Sequence, residues 1–282
     1  MEREKWILLE FDKAPYEWTR DLQSRTVEAR RERFLDRNVV LFLEHPPVFT
    51  LGRRGERRNL KVSESFLEER GISVIHVERG GDITYHGPGQ LVIYPIIHLR
   101  GTGLDVYGYI TRLEEVMIRT AGDFGVGAER DPKNRGAWVR GSKIGSIGIA
   151  IRHGITFHGL ALNINTSLEH FTWIHPCGLQ DIRMTSLAKE LGSRVPMEEA
   201  RRSARKSMED VFGIELVGME IQDIAPMLPG FVIKEAPGPG MPLFDLDLEA
   251  EVPVGASIAR LKEELAALAS EENLDLRCTS KR

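Results

Sequence analysis

Short runs in which apolar residues crowd or alternate recur along the first hundred positions: WILLEF at 6–11, VVLFLEH at 39–45, SVIHVE at 73–78 and LVIYPII at 91–97. Their length and their richness in branched side chains predict strands. Apolar positions three and four apart predict helices over 16–37, 105–125 and 197–213. The last of these opens after Pro196 and stops at Gly213, the usual punctuation of a helix. WVRGSKIGSIGIAIRHGITFHGLALNI at 138–164 reads as two long strands turning at His153 and Gly154. Strands and helices do not alternate regularly and a hairpin is evident. The expected class is therefore α+β, a mixed β-sheet with flanking helices, in preference to a doubly wound parallel sheet.

The texture changes after residue 216. Six of the fourteen prolines fall between Pro226 and Pro253, which argues against a regular helix or a central strand there. A closing helix is expected from Ser257 through Leu261, Leu265 and Leu268. The expected organisation is a body over 1–215 and a Pro-rich, acidic extension over 216–282 with no chemistry of its own.

Charge divides at the same place. The net charge of −4 conceals six surplus acids after residue 215 and two surplus bases before it. Within the body, LGRRGERRN at 51–59 gathers Arg53, Arg54, Arg57 and Arg58, which reads either as a solvated loop or as a docking patch for an acidic protein. Nucleic acid fits less well, because the patch has no interleaved aromatics and the whole chain is acidic. No run approaches the ~18 apolar residues of a membrane span. MEREKWILLEF has no small-residue cleavage site and reads as a first strand, so a soluble cytoplasmic protein is expected.

The chain has two cysteines, Cys177 and Cys278, too few for a disulfide framework or a metal cage. Cys177 lies in IHPCGL at 174–179. A thiol must ionise to attack, so a catalytic cysteine needs a cation or base within reach. His175 is the near candidate, but Pro176 interrupts the regular strand that would put the two on one side. RGGDITYHGPGQLVIYP at 79–95 sets four glycines and a proline around Thr84, Tyr85, His86 and Gln90. It is either a binding loop or a plain strand–turn–strand, and it matches neither the dinucleotide nor the phosphate-loop pattern. In GSKIGSIGIA at 141–150, Lys143 is either an edge-strand charge or an amine projecting into a cleft kept open by Gly141, Gly145 and Gly148. His158 reads more readily as a satisfied core histidine than as a ligand or base.

Five segments in fixed order, EHPPVFTLG at 44–52, RGGDITYHGPGQLVIYP at 79–95, GSKIGSIGI at 141–149, FHGLALNI at 157–164 and HPCGL at 175–179, together resemble one family, the lipoyl(octanoyl) transferases of lipoate biosynthesis. The resemblance covers roughly residues 5–215, which makes that stretch the catalytic domain, and says nothing of the extension. It implies a fold like the catalytic domain of biotin and lipoate protein ligases. It also implies an octanoyl group moved from octanoyl-acyl carrier protein to a lysine of lipoyl-domain proteins, which are 2-oxoacid dehydrogenase subunits and the glycine cleavage H protein, with no cofactor and no metal.

By the same resemblance Cys177 is the nucleophile and Lys143 accepts and relays its proton, the two forming one coupled acid–base system. Arg79, Gly80, Gly81, Asp82, Ile83, Thr84, Tyr85, His86, Ser146, Ile147, Gly148, Gly159, Leu160 and Ala161 are implied to line the acyl tunnel and the reacting carbonyl. The carboxylate of Asp82 has no role in that picture. Two other readings stay open. One is an ATP-dependent lipoate or biotin protein ligase, which needs no cysteine; the other is a non-catalytic binder of acyl carrier or lipoyl domains through the arginine loop.

Overall fold

The computed structural model describes residues 3–132, 134–175 and 182–232. Among them, strands β1 (Glu4–Glu10), β2 (Val39–Leu43), β3 (Val48–Leu51), β4 (Ser73–His76) and β5 (Ile83–His86) are followed by β6 (Gln90–Ile96), β7 (Ala137–Val139), β8 (Ser142–Arg152), β9 (Ile155–Asn163) and β10 (Ile214–Gly218). They make a seven-stranded sheet in the order β10-β1-β2-β6-β9-β8-β7 and a three-stranded sheet in the order β4-β3-β5. β1 is parallel to both β10 and β2, and the pairings from β2 to β7 are antiparallel. The mixed sheet is the expected one.

Helices cover the large sheet on both faces. α1 (Tyr16–Arg31) packs on one face. Two short helices, α2 (Glu64–Glu68) and α3 (Leu99–Thr102), precede α4 (Val106–Asp123), which covers the other face; after a third short helix, α5 (Leu187–Leu191), α6 (Met197–Phe212) joins α4 there, and α7 (Ile221–Ile224) returns to the face of α1. This explains why VVLFL is a continuous apolar run: Val40 and Phe42 join the core under α4 and α6, while Val39, Leu41 and Leu43 join the core under α1. A strand buried on both faces has no polar side to show.

Boundaries differ from expectation where the chain hides its signals. α1 stops at Arg31, short of the expected 37, because Arg33 takes the left-handed conformation (φ 62°) and the Phe34 N–H returns to the Ala29 carbonyl at 2.9 Å. That closure normally announces itself with glycine. β3, β5 and β10, of four or five residues, carry no apolar run that singles them out, and the two strands expected over 138–164 are three, because the chain turns at Arg140 and Gly141 so that β7 pairs antiparallel with β8. β10 runs across position 215, and α7 carries Ile224 into the core under α1. The helix expected from Ser257 lies outside the described residues.

One irregularity positions the site. The register that pairs Ile93 with Leu160 and His98 with Ile155 brings Pro95 opposite His158. Proline has no N–H for the ladder. At this point His158 adopts φ 56° and donates its own backbone N–H to Oε1 of Gln23 on α1, 2.7 Å away. Its register partner Ile149 packs toward the α4 side, whereas the His158 ring lies against Tyr94 and Phe157, residues of the core under α1. The left-handed residue has crossed to the other face of the sheet.

Candidate active site

β8 and β9 pair Ser146 with Ala161 and Gly148 with Gly159, so their shared face is paved with small residues. The loop after β4 crosses this floor. Gly80 donates its N–H to the Ile149 carbonyl at 2.8 Å, and the Arg79 stem lies so close to Gly148 that a Cβ there would stand 2.7 Å from Arg79 Cδ. The Arg79 guanidinium is fixed to the Thr50 carbonyl at 2.6 Å and the Thr50 hydroxyl at 2.7 Å. Between loop, floor and β5 runs a narrow slot of about 50 Å³, lined by Tyr16, Arg79, Gly81, Asp82, Ile83, Thr84, His86, Tyr94, Lys143, Ser146, Ile147, Gly148, His158, Gly159, Leu160 and Ala161.

Lys143 is 3% exposed. Its N–H donates to the Arg183 carbonyl at 2.8 Å and its carbonyl accepts from the Thr185 N–H at 2.9 Å, so the segment around Met184 runs beside it as a parallel bridge. Its amine stands 5.3 Å from the centre of the Trp138 ring. Room for the side chain comes from Gly136, where a Cβ would collide with the Gly145 carbonyl oxygen and stand 2.8 Å from Lys143 Cε. Gly136 has φ 130° and donates its N–H to the buried Glu114 carboxylate of α4 at 3.1 Å.

Away from Lys143 the wall is imidazole and phenol. His45 donates from Nδ1 to the Ala14 carbonyl at 2.7 Å, since a carbonyl only accepts, and its Nε2 then accepts from the Tyr94 hydroxyl at 2.8 Å. Burial lowers the pKa of His45 from 6.5 to about 4 and holds His86 well below 6.5, in the latter case helped by nearby His45 and Arg79. His86 Nδ1 bonds Gln90 Oε1 at 2.7 Å, Gln90 Nε2 donates to Asn163 Oδ1 at 2.9 Å, and Asn163 Nδ2 donates to the Thr185 carbonyl at 3.0 Å. A buried polar relay thus joins His86 to the segment that brackets Lys143.

Burial also lowers the His158 pKa and raises that of Tyr16. Glu78 faces His158 Nε2 at 3.6 Å and Arg20 at 2.7 Å. The His158 ring and the Arg20 guanidinium beside it hold its carboxyl well below the usual carboxylate range.

The expected residues are mostly together. All of the expected binding set lines the slot except Gly80, which bonds β8 through its backbone, and Tyr85. The Tyr85 ring stacks on His170 at 4.3 Å and packs against Phe49 and Phe171. In a strand, neighbours of His86 and Thr84 point to the opposite face, and that face belongs to the small-sheet core. The Asp82 carboxylate ties two loops together. Its Oδ2 accepts from Asn59 Nδ2 at 2.7 Å and its Oδ1 accepts from the Ile83 N–H at 2.6 Å, which pins the slot loop to the arginine loop.

His158 is not the satisfied core histidine expected, for neither ring nitrogen has a hydrogen-bond partner among the described residues. Tyr16, Gly136 and Glu114 were not singled out in the sequence, and His45 and Tyr94 sit inside two of the segments that carry the resemblance without being named for the site. Cys177 lies outside the described residues. Its flanks are anchored: His175 donates its N–H to the Asn59 carbonyl at 2.8 Å, and Arg183 pairs with Lys143.

The model of the lipoyl protein ligase A/B catalytic domain matches residues 15–209. This chain belongs to that family. Among its relatives, an octanoyltransferase of Desulfotalea psychrophila is 51% identical over 68% of this chain and 86% of its own length. An octanoyltransferase of Syntrophobacter fumaroxidans is 48% identical over 74% and 91%. Solved structures share the fold. A lipoate-protein ligase A bound with ATP superposes with a TM-score of 0.62 over 81% of this chain and 92% of its own, at 16% identity. The bipartite lipoate protein ligase of Thermoplasma acidophilum gives 0.63 over 80% and 90%, at 17% identity.

Proposed function

We propose that this chain is an octanoyltransferase that carries an octanoyl group from octanoyl-acyl carrier protein, through a thioester on Cys177, to a lysine of lipoyl-domain proteins. The observation that carries the reading is the buried amine of Lys143 at one end of a narrow slot floored by Ser146, Gly148, Gly159 and Ala161. Relatives named octanoyltransferase at 51% and 48% identity support it. An eight-carbon chain needs a thin, dry channel, and small side chains keep its floor low.

Cys177 Sγ attacks the carbonyl of the carrier thioester while Lys143 takes the thiol proton. The tetrahedral intermediate expels the carrier thiolate, which receives that proton from Lys143. The acceptor lysine then attacks the acyl-cysteine, an amide forms, and Cys177 leaves as thiolate while Lys143 takes the proton released by the nitrogen. Exchange between thioesters is nearly balanced and the step to an amide runs downhill, so the sequence of steps needs no nucleotide. In the sequence Cys177 follows His175 by two residues and precedes Arg183 by six.

The arginine loop fits an acidic carrier. Arg53 and Arg54 are exposed, while Arg57 pairs with Glu64 and Arg58 with Glu56. Arg53 and Arg54 also donate their backbone N–H groups to the carbonyls of Arg79 and Gly81, both at 3.0 Å, so the loop rests on the slot wall.

Incubation with octanoyl-acyl carrier protein followed by mass spectrometry tests the reading. One octanoyl group on Cys177 is expected, with transfer to a lipoyl domain in the absence of ATP and none by Cys177→Ser. Undiminished transfer by Cys177→Ser, or transfer only with ATP and a free acid, rejects it.

A further inference from the structure

Lys143 and His158 both line the slot. Lys143 and Ile149 are six residues apart on β8, about 20 Å at the rise of an extended strand, and His158 is the register partner of Ile149. Tyr16 belongs to the His158 end through one cluster of rings: its ring centre lies 5.0 Å from that of His45, His45 bonds the Tyr94 hydroxyl at 2.8 Å, and the Tyr94 ring centre lies 6.1 Å from that of His158. Tyr16 is 5% exposed and His158 1% exposed. The Tyr16 hydroxyl and both ring nitrogens of His158 are buried without a hydrogen-bond partner among the described residues, the Glu78 carboxylate standing off from His158 Nε2 at 3.6 Å. Polar atoms in such a place require an occupant that can bond them, because leaving them unpaired is costly. A methyl terminus cannot serve.

We propose that Tyr16 and His158 form a polar stop that sets acyl chain length: they hold ordered water at the closed end of the slot, and a chain longer than eight carbons is rejected because it must strip that water. The proposal rests on the acyl-transfer reading above. An extended eight-carbon acyl chain covers about three residues of strand and the Lys143 side chain reaches over about two more, which brings the terminal methyl about one residue short of His158. Two further methylenes reach the stop. They gain nothing from burial there, since the hydrogen bonds they displace are not replaced. The stop thus differs from a steric wall, which would reject length by overlap alone.

Two variants separate the alternatives. Tyr16→Phe keeps the ring and removes the hydroxyl. His158→Asn tolerates the left-handed backbone, keeps a polar group and enlarges the space. Steady-state kcat/KM is measured for the native chain and both variants with hexanoyl-, octanoyl-, decanoyl- and dodecanoyl-acyl carrier protein, with thermal melting as the check on folding. The polar stop predicts that Tyr16→Phe raises the decanoyl-to-octanoyl ratio about tenfold, near the worth of two buried methylenes, and that His158→Asn leaves the ratio low. An unchanged ratio in Tyr16→Phe, or a raised ratio in His158→Asn alone, overturns the stop and leaves the acyl-transfer reading standing. Failure of the native chain to transfer any acyl length, with no adduct on Cys177, overturns both.

Discussion

The two ends of the slot are built by opposite means. At the Lys143 end the residue is held by main chain: its backbone N–H and carbonyl bond Arg183 and Thr185, and the missing side chain of Gly136 leaves space for its stem. At the His158 end neutral rings are buried by one another and by α1. The stack of Tyr16 on His86 at 6.0 Å, the His45–Tyr94 hydrogen bond and the Gln23 bond to the His158 backbone all belong to this end. The contrast teaches where chemistry and selectivity can be separated. In the proposed reaction, the residue that changes protonation is anchored through its main chain, which does not titrate. Groups that must stay neutral are held by burial, which keeps them so.

The sharpest break in this contrast is Lys143→Met, which removes the proposed proton relay and leaves the rings intact. Loss of a positioned acid–base group predicts a fall of about 10²–10⁴ in the acyl-transfer rate; a rate within tenfold of native would put the proton chemistry elsewhere. Gly136→Ala attacks the same end through its scaffold. With φ at 130° and a Cβ meeting a carbonyl oxygen, a loss of about 3 kcal/mol in urea unfolding is expected.

The opposite end is tested by pH. The folded pKa of His45, about 4, lies below its ordinary 6.5, so the unfolded chain takes up the proton first. The stability tied to keeping His45 neutral is complete above pH 6.5 and is lost as pH falls to about 4. The loss is about 3 kcal/mol. His86 and His158, shifted in the same direction by burial, steepen it. Denaturation midpoints measured from pH 7.5 to 4.5 should fall, with a shallower slope in His45→Gln; a flat profile would mean that these rings are not kept neutral by the fold. The mildest test is Gln23→Leu, which strands the His158 N–H and should cost about 2 kcal/mol. No change there would show that Pro95, without help from α1, suffices to turn His158.

Much of the Lys143 end was legible in the sequence and little of the other. GSKIGSIGI and FHGLALNI are each contiguous and meet across one hairpin, and the family resemblance carried by those two segments implied Ser146, Gly148, Gly159 and Ala161 as lining. Tyr16, Gln23, His45, Glu78 and Tyr94 are drawn from α1, the small-sheet loops and β6, and no local pattern joins them. Tyr85 shows the limit of reading a glycine-rich segment as one unit, since strand alternation sends it into the small-sheet core beside His170. The helix stop at Arg33 was hidden for a related reason: a residue other than glycine occupies the left-handed position. Asp82 had no role until the structure set Asn59 beside it.

Pro95 has a consequence for how the fold tolerates change. The recess beside His158 exists because one imino acid in the middle of β6 withholds a single hydrogen, so room is made here by subtraction. An ordinary residue at 95 would restore that hydrogen and offer β9 the ladder bond that proline withholds. The slot beside His158 is thus shaped by a residue absent from its lining, and a substitution that strengthens the sheet is expected to narrow it.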